Sequence, residues 1–108
     1  MQIQLQAFTR RSGSLRTAIA RDLSRPRQKS RLTLEKIKDP ARNPGWTKLT
    51  SQGCPGALNI EWDASAHMLL ARAISKQGNT PHKLMGVFLD YLIERHGRRI
   101  TSVNIQLR

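Results

Sequence analysis

A single cysteine, Cys54, occurs in 108 residues, so no disulfide can close within the chain and a small cross-linked extracellular module is excluded. Long apolar runs are missing too. The longest, Leu84 to Leu89, is interrupted by Gly86 and falls far short of the ~20 residues that span a bilayer. No apolar signal-peptide core follows Met1, and the most basic segment carries no broad apolar face that would lie on a membrane. These absences lead to the expectation of a cytoplasmic chain with no membrane contact. Chemistry-bearing groups are equally sparse. His67, His82 and His96, the one thiol and seven acids show no metal-ligand spacing and no paired carboxylates, and no glycine-rich loop precedes a helix. Cys54 has Lys48 as its nearest cation in sequence and reads as an unreactive loop thiol. The expectation is a protein without catalysis, cofactor or metal.

What is abundant is positive charge. Nineteen Lys and Arg face seven acids, a formal charge of +12. Self-repulsion of that size opposes compaction and favours a polyanionic partner. The charge is uneven: residues 1–56 carry 12 Lys/Arg and 3 acids, whereas residues 57–108 carry 7 and 4. Arg10, Arg11, Arg16, Arg21, Arg25, Arg27, Lys29 and Arg31 fall within 22 residues with Asp22 alone opposing them. This stretch reads as a basic irregular arm that lies along phosphates and orders on binding. Trp46 within it is read as packing on the core rather than stacking on a base.

One domain with extensions is expected from this length. The arm spans 1–56, with an edge strand over 2–8 and a short helix over 14–23 capped by Ser14. A further short helix is placed around Leu34 to Lys38. From residue 57 to 108 the pattern tightens. Leu58, Ile60 and Trp62 alternate with Asn59, Glu61 and Asp63, the period of a strand with one buried face. After Asp63, read as a helix N-cap, Ala66, Leu69, Leu70, Ala73 and Ile74 recur at helical spacing, and Gly78 ends that helix. Thr80 and Pro81 open a second helix, Leu84, Val87, Phe88, Tyr91 and Leu92 form its apolar face, and Gly97 closes it. A C-terminal strand covers 101–107, and it alternates as the N-terminal one does, so the two suit pairing with each other.

Strand, helix, glycine and capped helix over residues 58–92 resembles the ribbon-helix-helix family of the Arc and MetJ type. The fold implied is α+β: a short strand followed by two helices, with the basic irregular N-terminal arm and terminal edge strands added. The resemblance implies a homodimer whose paired strands enter the major groove, with Asn59 and Glu61 facing base edges. It also implies that Thr80 and Lys83, at the start of the second helix, clamp a phosphate.

The leading functional expectation is therefore a dimeric, sequence-selective DNA-binding accessory protein or transcriptional regulator of a bacterial or mobile-element system, nucleoid-associated within the cytoplasm. Duplex DNA is the favoured partner, and RNA is the alternative. In that second reading the chain is a ribonucleoprotein subunit within a larger nucleoprotein complex, its basic arm threading RNA. A third reading is a protein-protein adaptor or inhibitor that covers a nucleic-acid-binding surface.

Overall fold

Alternation of apolar and polar residues builds most of this molecule. The computed structural model describes residues 2–10, 13–26, 29–38, 46–74 and 80–107. Six strands form one sheet: β1 (Gln2–Thr9), β2 (Leu32–Lys38), β3 (Trp46–Ser51), β4 (Cys54–Asp63), β5 (Met68–Ile74) and β6 (Ile100–Leu107). Helix α1 (Leu15–Leu23) follows β1, and helix α2 (Pro81–His96) follows β5, ending in a short 3-10 turn, Gly97–Arg99. The strand order is β2-β3-β4-β5-β1-β6, with every neighbouring pair antiparallel.

Because neighbours alternate in direction, β1 and β2 run the same way, as do β5 and β6. Each of these pairs is joined by a helical crossover, α1 passing over β5, β4 and β3, and α2 passing over β1. Crossovers of this kind take the right-handed sense, and for these two, which leave in opposite directions from antiparallel strands, that sense places both helices on one face of the sheet. It is the face that Ile3, Leu5 and Ala7 of β1, Leu58, Ile60 and Trp62 of β4, and Leu69, Ala71 and Ala73 of β5 bury. Helix α1 meets it with Leu15, Ile19 and Leu23, four residues apart, and α2 with Leu84, Met85, Phe88, Tyr91 and Leu92. Each large apolar side chain buried there is worth about 1.5–3 kcal/mol relative to exposure. Ser14 starts α1 as an N-cap, its Oγ accepting a hydrogen bond from Thr17 N at 3.1 Å.

This architecture corrects the expected fold. The segment read as the first helix of a ribbon-helix-helix unit is strand β5, and residues 64–67 are a turn. Asp63 does accept the hydrogen bonds that suggested a helix cap, from Ser65 N (3.0 Å), Ser65 Oγ (2.7 Å) and Ala66 N (3.2 Å). They close a hairpin loop instead, completed by His67 at φ 49°, and the chain returns as β5 with Asp63 opposite Met68. The Gly78 stop lies outside the described residues. Strand β4 cannot pair with a twin, because β3 and β5 occupy both its edges, so the two-stranded ribbon and the dimer built on it are not formed. Nor is the basic segment an irregular arm. It contributes β1, α1, β2 and β3 to the same sheet and core, and the helix placed near Leu34 to Lys38 is edge strand β2, paired along its inner edge with β3.

Other expectations agree with the structure. Helix α1 covers the stretch capped by Ser14, α2 begins at Pro81 and ends at Gly97, and the two terminal strands pair with each other, with Leu5 opposite Ile105.

Candidate nucleic-acid interface

Arginine has a planar, permanently charged fork of donors suited to phosphate oxygens, and several arginines on one surface form the simplest polyanion site. The fold assembles such a surface where α1 ends beside the end of α2. One shallow concavity there is lined by Ala18, Arg21, Asp22, Arg25, Arg95 and His96. A second, sharing Arg95 and His96, runs from Ile93 and Glu94 through Gly97 to Arg98 and Arg99. Arg10, just past β1, is fixed against this end by its backbone N–H, which donates to Arg99 O at 3.1 Å. The Arg99 Nη2 donates in turn to Gly13 O at 3.1 Å. Arg10, Arg21, Arg25, Arg95 and Arg98 are exposed and Arg99 half-exposed. Three chain segments thus bring six arginines to this end, five of them lining the two concavities and Arg10 anchored beside them by its backbone. The negative end of α2 accounts for part of this arrangement, since cations near a helix C-terminus are stabilising, but α1 and the β1 end supply half the cluster.

Asp22 holds the two helices together beneath the cluster. Its Oδ2 accepts from the Tyr91 hydroxyl at 2.7 Å, and its Oδ1 lies 3.3 Å from Arg95 Nη1. With the Tyr91 proton committed to Asp22, His96 Nε2, 3.0 Å away, is the donor to the hydroxyl oxygen. Burial, then the hydrogen bond and the charge of Asp22, raise the Tyr91 pKa far above its ordinary value. Burial lowers the pKa of His96; the carboxylate of Asp22 opposes that effect, while Arg99 and Arg95 add to it. A neutral histidine and a firmly protonated tyrosine make a structural clamp. Asp22 neutralises Arg95, and Glu94 is the one further acid among the described residues that lines these two concavities, so cations outnumber acids at this end.

The residues singled out from the sequence are dispersed. Arg10, Arg21 and Arg25 belong to the arginine end. Arg16 is half-buried on α1, with its Nη1 shielded from solvent and lacking a hydrogen-bond partner. Lys29 and Arg31 line a different depression beside Asp90 and Glu94, where acids offset them. Arg11 and Arg27 lie outside the described residues, as does the side chain of Trp46. Asn59 and Glu61 are half-buried in the middle of the sheet, on the face away from the helices, and Glu61 Oε1 stands 3.7 Å from Arg72 Nη1. Thr80 makes no side-chain cap bond, and Lys83 is exposed on the first turn of α2. Twelve or so residues of helix, roughly 20 Å, separate Lys83 from Arg95. Ribbon pair, helix-start pair and basic run therefore do not form one site. Arg95, Arg98 and Arg99 were not singled out, although the Arg-His-Gly-Arg-Arg run at 95–99 is a visible signal for them.

The sheet face away from the helices has its own composition. In register across five strands lie Lys48, Asn59, Arg72, Gln4 and Gln106. The adjacent row includes Glu61, Leu70, Gln6 and Asn104, with Asn104 Nδ2 donating to Gln6 Oε1 at 3.0 Å. Amides dominate this face, with Met68, Leu70 and Phe8 half-exposed among them.

No protein-family model, curated protein or solved structure matches this chain. Among the described residues, no group of three His, Cys, Asp or Glu is placed to hold a metal ion, and no helix is long and apolar enough to cross a membrane.

Proposed function

We propose that the protein binds the phosphate backbone of nucleic acid, duplex DNA in the first instance, and works as a binding component with no chemistry of its own. The observation that supports this most is the convergence of Arg10, Arg21, Arg25, Arg95, Arg98 and Arg99 at one end, with Asp22 and Glu94 opposing them there. A surface of guanidinium groups without an element that protrudes into a groove recognises charge and spacing more than base sequence. The role follows as that of an accessory protein seated on a backbone, in a bacterial or mobile-element system or a comparable nucleoprotein assembly.

A second reading is single-stranded RNA lying across the open sheet face. It is favoured by Lys48, Asn59, Arg72 and Gln106, which share one row with the buried Gln4, and by the half-exposed Phe8, Met68 and Leu70 beside it, which offer apolar contact to bases.

Fluorescence anisotropy with a labelled 20-base-pair duplex and a labelled RNA strand separates these. Replacing Arg21, Arg25, Arg98 and Arg99 by Gln together should weaken duplex binding by at least about tenfold near 100 mM salt, because four phosphate contacts are lost. Lys83→Gln, at the other end of α2, should change it by less than about twofold. Equal losses from both changes would overturn the assignment. A loss confined to Lys48→Gln with Arg72→Gln, and to the RNA strand, would establish the second reading.

A further inference from the structure

Edge strands leave a row of backbone donors and acceptors unpaired, and proteins ordinarily guard them with charge, proline or brevity. The two edges of this sheet differ in that respect. Strand β2, at one edge, contains Glu35, Lys36 and Lys38. Strand β6, at the other, reads Ile-Thr-Ser-Val-Asn-Ile-Gln-Leu, eight residues without a charge in a chain of net charge +12. Its register with β1 sets Val103, Ile105 and Leu107 on the helix side, opposite Ala7, Leu5 and Ile3. Yet helix α2 packs over β1, β4 and β5 and leaves this outer rim uncovered: Ile105 is 44% exposed and Leu107 70%. Among the described residues the third exposed large apolar side chain, Ile93 at 61%, is on α2. One flank of α2, with Val87, Asp90, Tyr91 and Glu94, faces the segment before β2. Leu89 and Ile93, four residues apart, lie on the opposite flank, toward β6.

We infer that β6 is the interface through which two copies of this chain join, edge to edge about a two-fold axis, into one continuous twelve-stranded sheet. The pattern of β6 is self-complementary about Ile105. Antiparallel pairing centred there sets Ile105 opposite the second copy's Ile105, Val103 opposite its Leu107 and Asn104 opposite its Gln106. Apolar side chains then meet on the helix side, where Leu89 and Ile93 of both copies flank them. On the other face the amide row that already runs from Gln4 and Gln6 to Gln106 and Asn104 continues into the partner. Charge selects the same strip. Two molecules of +12 repel over most of their surfaces, and an uncharged strand is where they approach without opposing like charges. A two-fold contact closes on itself and stops at two copies. Ile93 borders the depression that Arg98 and Arg99 line, so the test of the dimer uses Ile105 and Leu107 on β6 itself and is read without nucleic acid.

Light scattering on the full chain in 0.3 M salt, across about 5 to 200 µM protein, is the test; that salt leaves charge repulsion only a short range. The expected mass is twice the 12.3 kDa of one chain. Ile105→Lys, which sets two ammonium groups face to face, should return the mass to that of one chain with an unchanged far-ultraviolet circular dichroism spectrum. Leu107→Lys, at a more exposed position, should weaken association as well and serves as the second variant if the first does not fold. A wild-type monomer throughout the range would overturn the inference, as would a dimer that survives both substitutions in folded protein, or open-ended growth beyond two copies.

Discussion

Tyr91 is the residue through which α1 and α2 are tied, and its hydroxyl is the group to remove. Tyr91→Phe keeps the ring in the core and deletes the bonds to Asp22 and His96. A hydrogen bond to a charged group contributes about 1.5–3 kcal/mol, and Arg95 remains to hold Asp22, so a loss of about 1–2 kcal/mol in urea unfolding is expected. The neighbouring His96 gives the clamp a pH signature. Its folded pKa lies below the ordinary 6.5 because burial disfavours the charged ring. As pH falls, the unfolded chain therefore takes up this proton first, and stability declines. The contribution is complete above about pH 7, shrinks as pH drops through 6.5, and stops changing once the folded ring also protonates. In His96→Gln the urea midpoint should lose that segment of its pH dependence between pH 8 and 5. An unchanged profile would mean that folding leaves the His96 pKa where it stands in the unfolded chain, and would contradict the burial effect. At this scale the sequence was informative about the starts of α1 and α2, misleading about Asp63 and uninformative about partners. Ser14 and Pro81 act through neighbours in the chain, whereas Asp22 and Tyr91 are 69 positions apart.

Strand β5 is where local pattern and tertiary structure part. Ala66, Leu69, Leu70, Ala73 and Ile74 satisfy a helical period, yet Leu69, Ala71 and Ala73 also alternate. A run apolar at nearly every position suits a central strand, and β5, held between β4 and β1, has its second face narrowed by neighbouring side chains, so that Met68, Leu70 and Arg72 are half-buried there. Asp63 deepened the ambiguity, because one carboxylate caps a helix and closes a hairpin turn with the same bonds. The hairpin outcome is measurable. In a helix, Leu69 and Leu70 would share the buried face and cost alike when shortened. In the strand they point to opposite faces, Leu69 fully buried and Leu70 half-exposed. Leu69→Ala should cost about 2–5 kcal/mol in urea unfolding. Leu70→Ala should cost roughly 1 kcal/mol. Equal costs would contradict the strand. Helix α2 was legible because a clean period meets its own start and stop residues, and the terminal strands because they alternate without a competing helical period.

For the molecule as a whole, charge counted along the chain and charge placed in space lead to different sites. The basic stretch from Arg10 to Arg31 was legible as a phosphate-binding segment, but folding divides it: three of its arginines join the arginine end, Arg16 turns inward, and Lys29 and Arg31 meet acids. Arg95, Arg98 and Arg99 complete the surface from the far end of the sequence, which only the crossover from β5 over β1 to β6 makes possible. The central claim is that this assembled surface, rather than the basic stretch as such, holds phosphate. It is tested most directly by the salt dependence of duplex binding, compared between the wild type and the variant with Arg21, Arg25, Arg98 and Arg99 replaced by Gln. Five or so neutralised phosphates predict a log-log slope of about −4 to −5 for the wild type, falling to about −1 in the variant. A variant slope equal to that of the wild type would place the phosphates elsewhere on the molecule and contradict the claim.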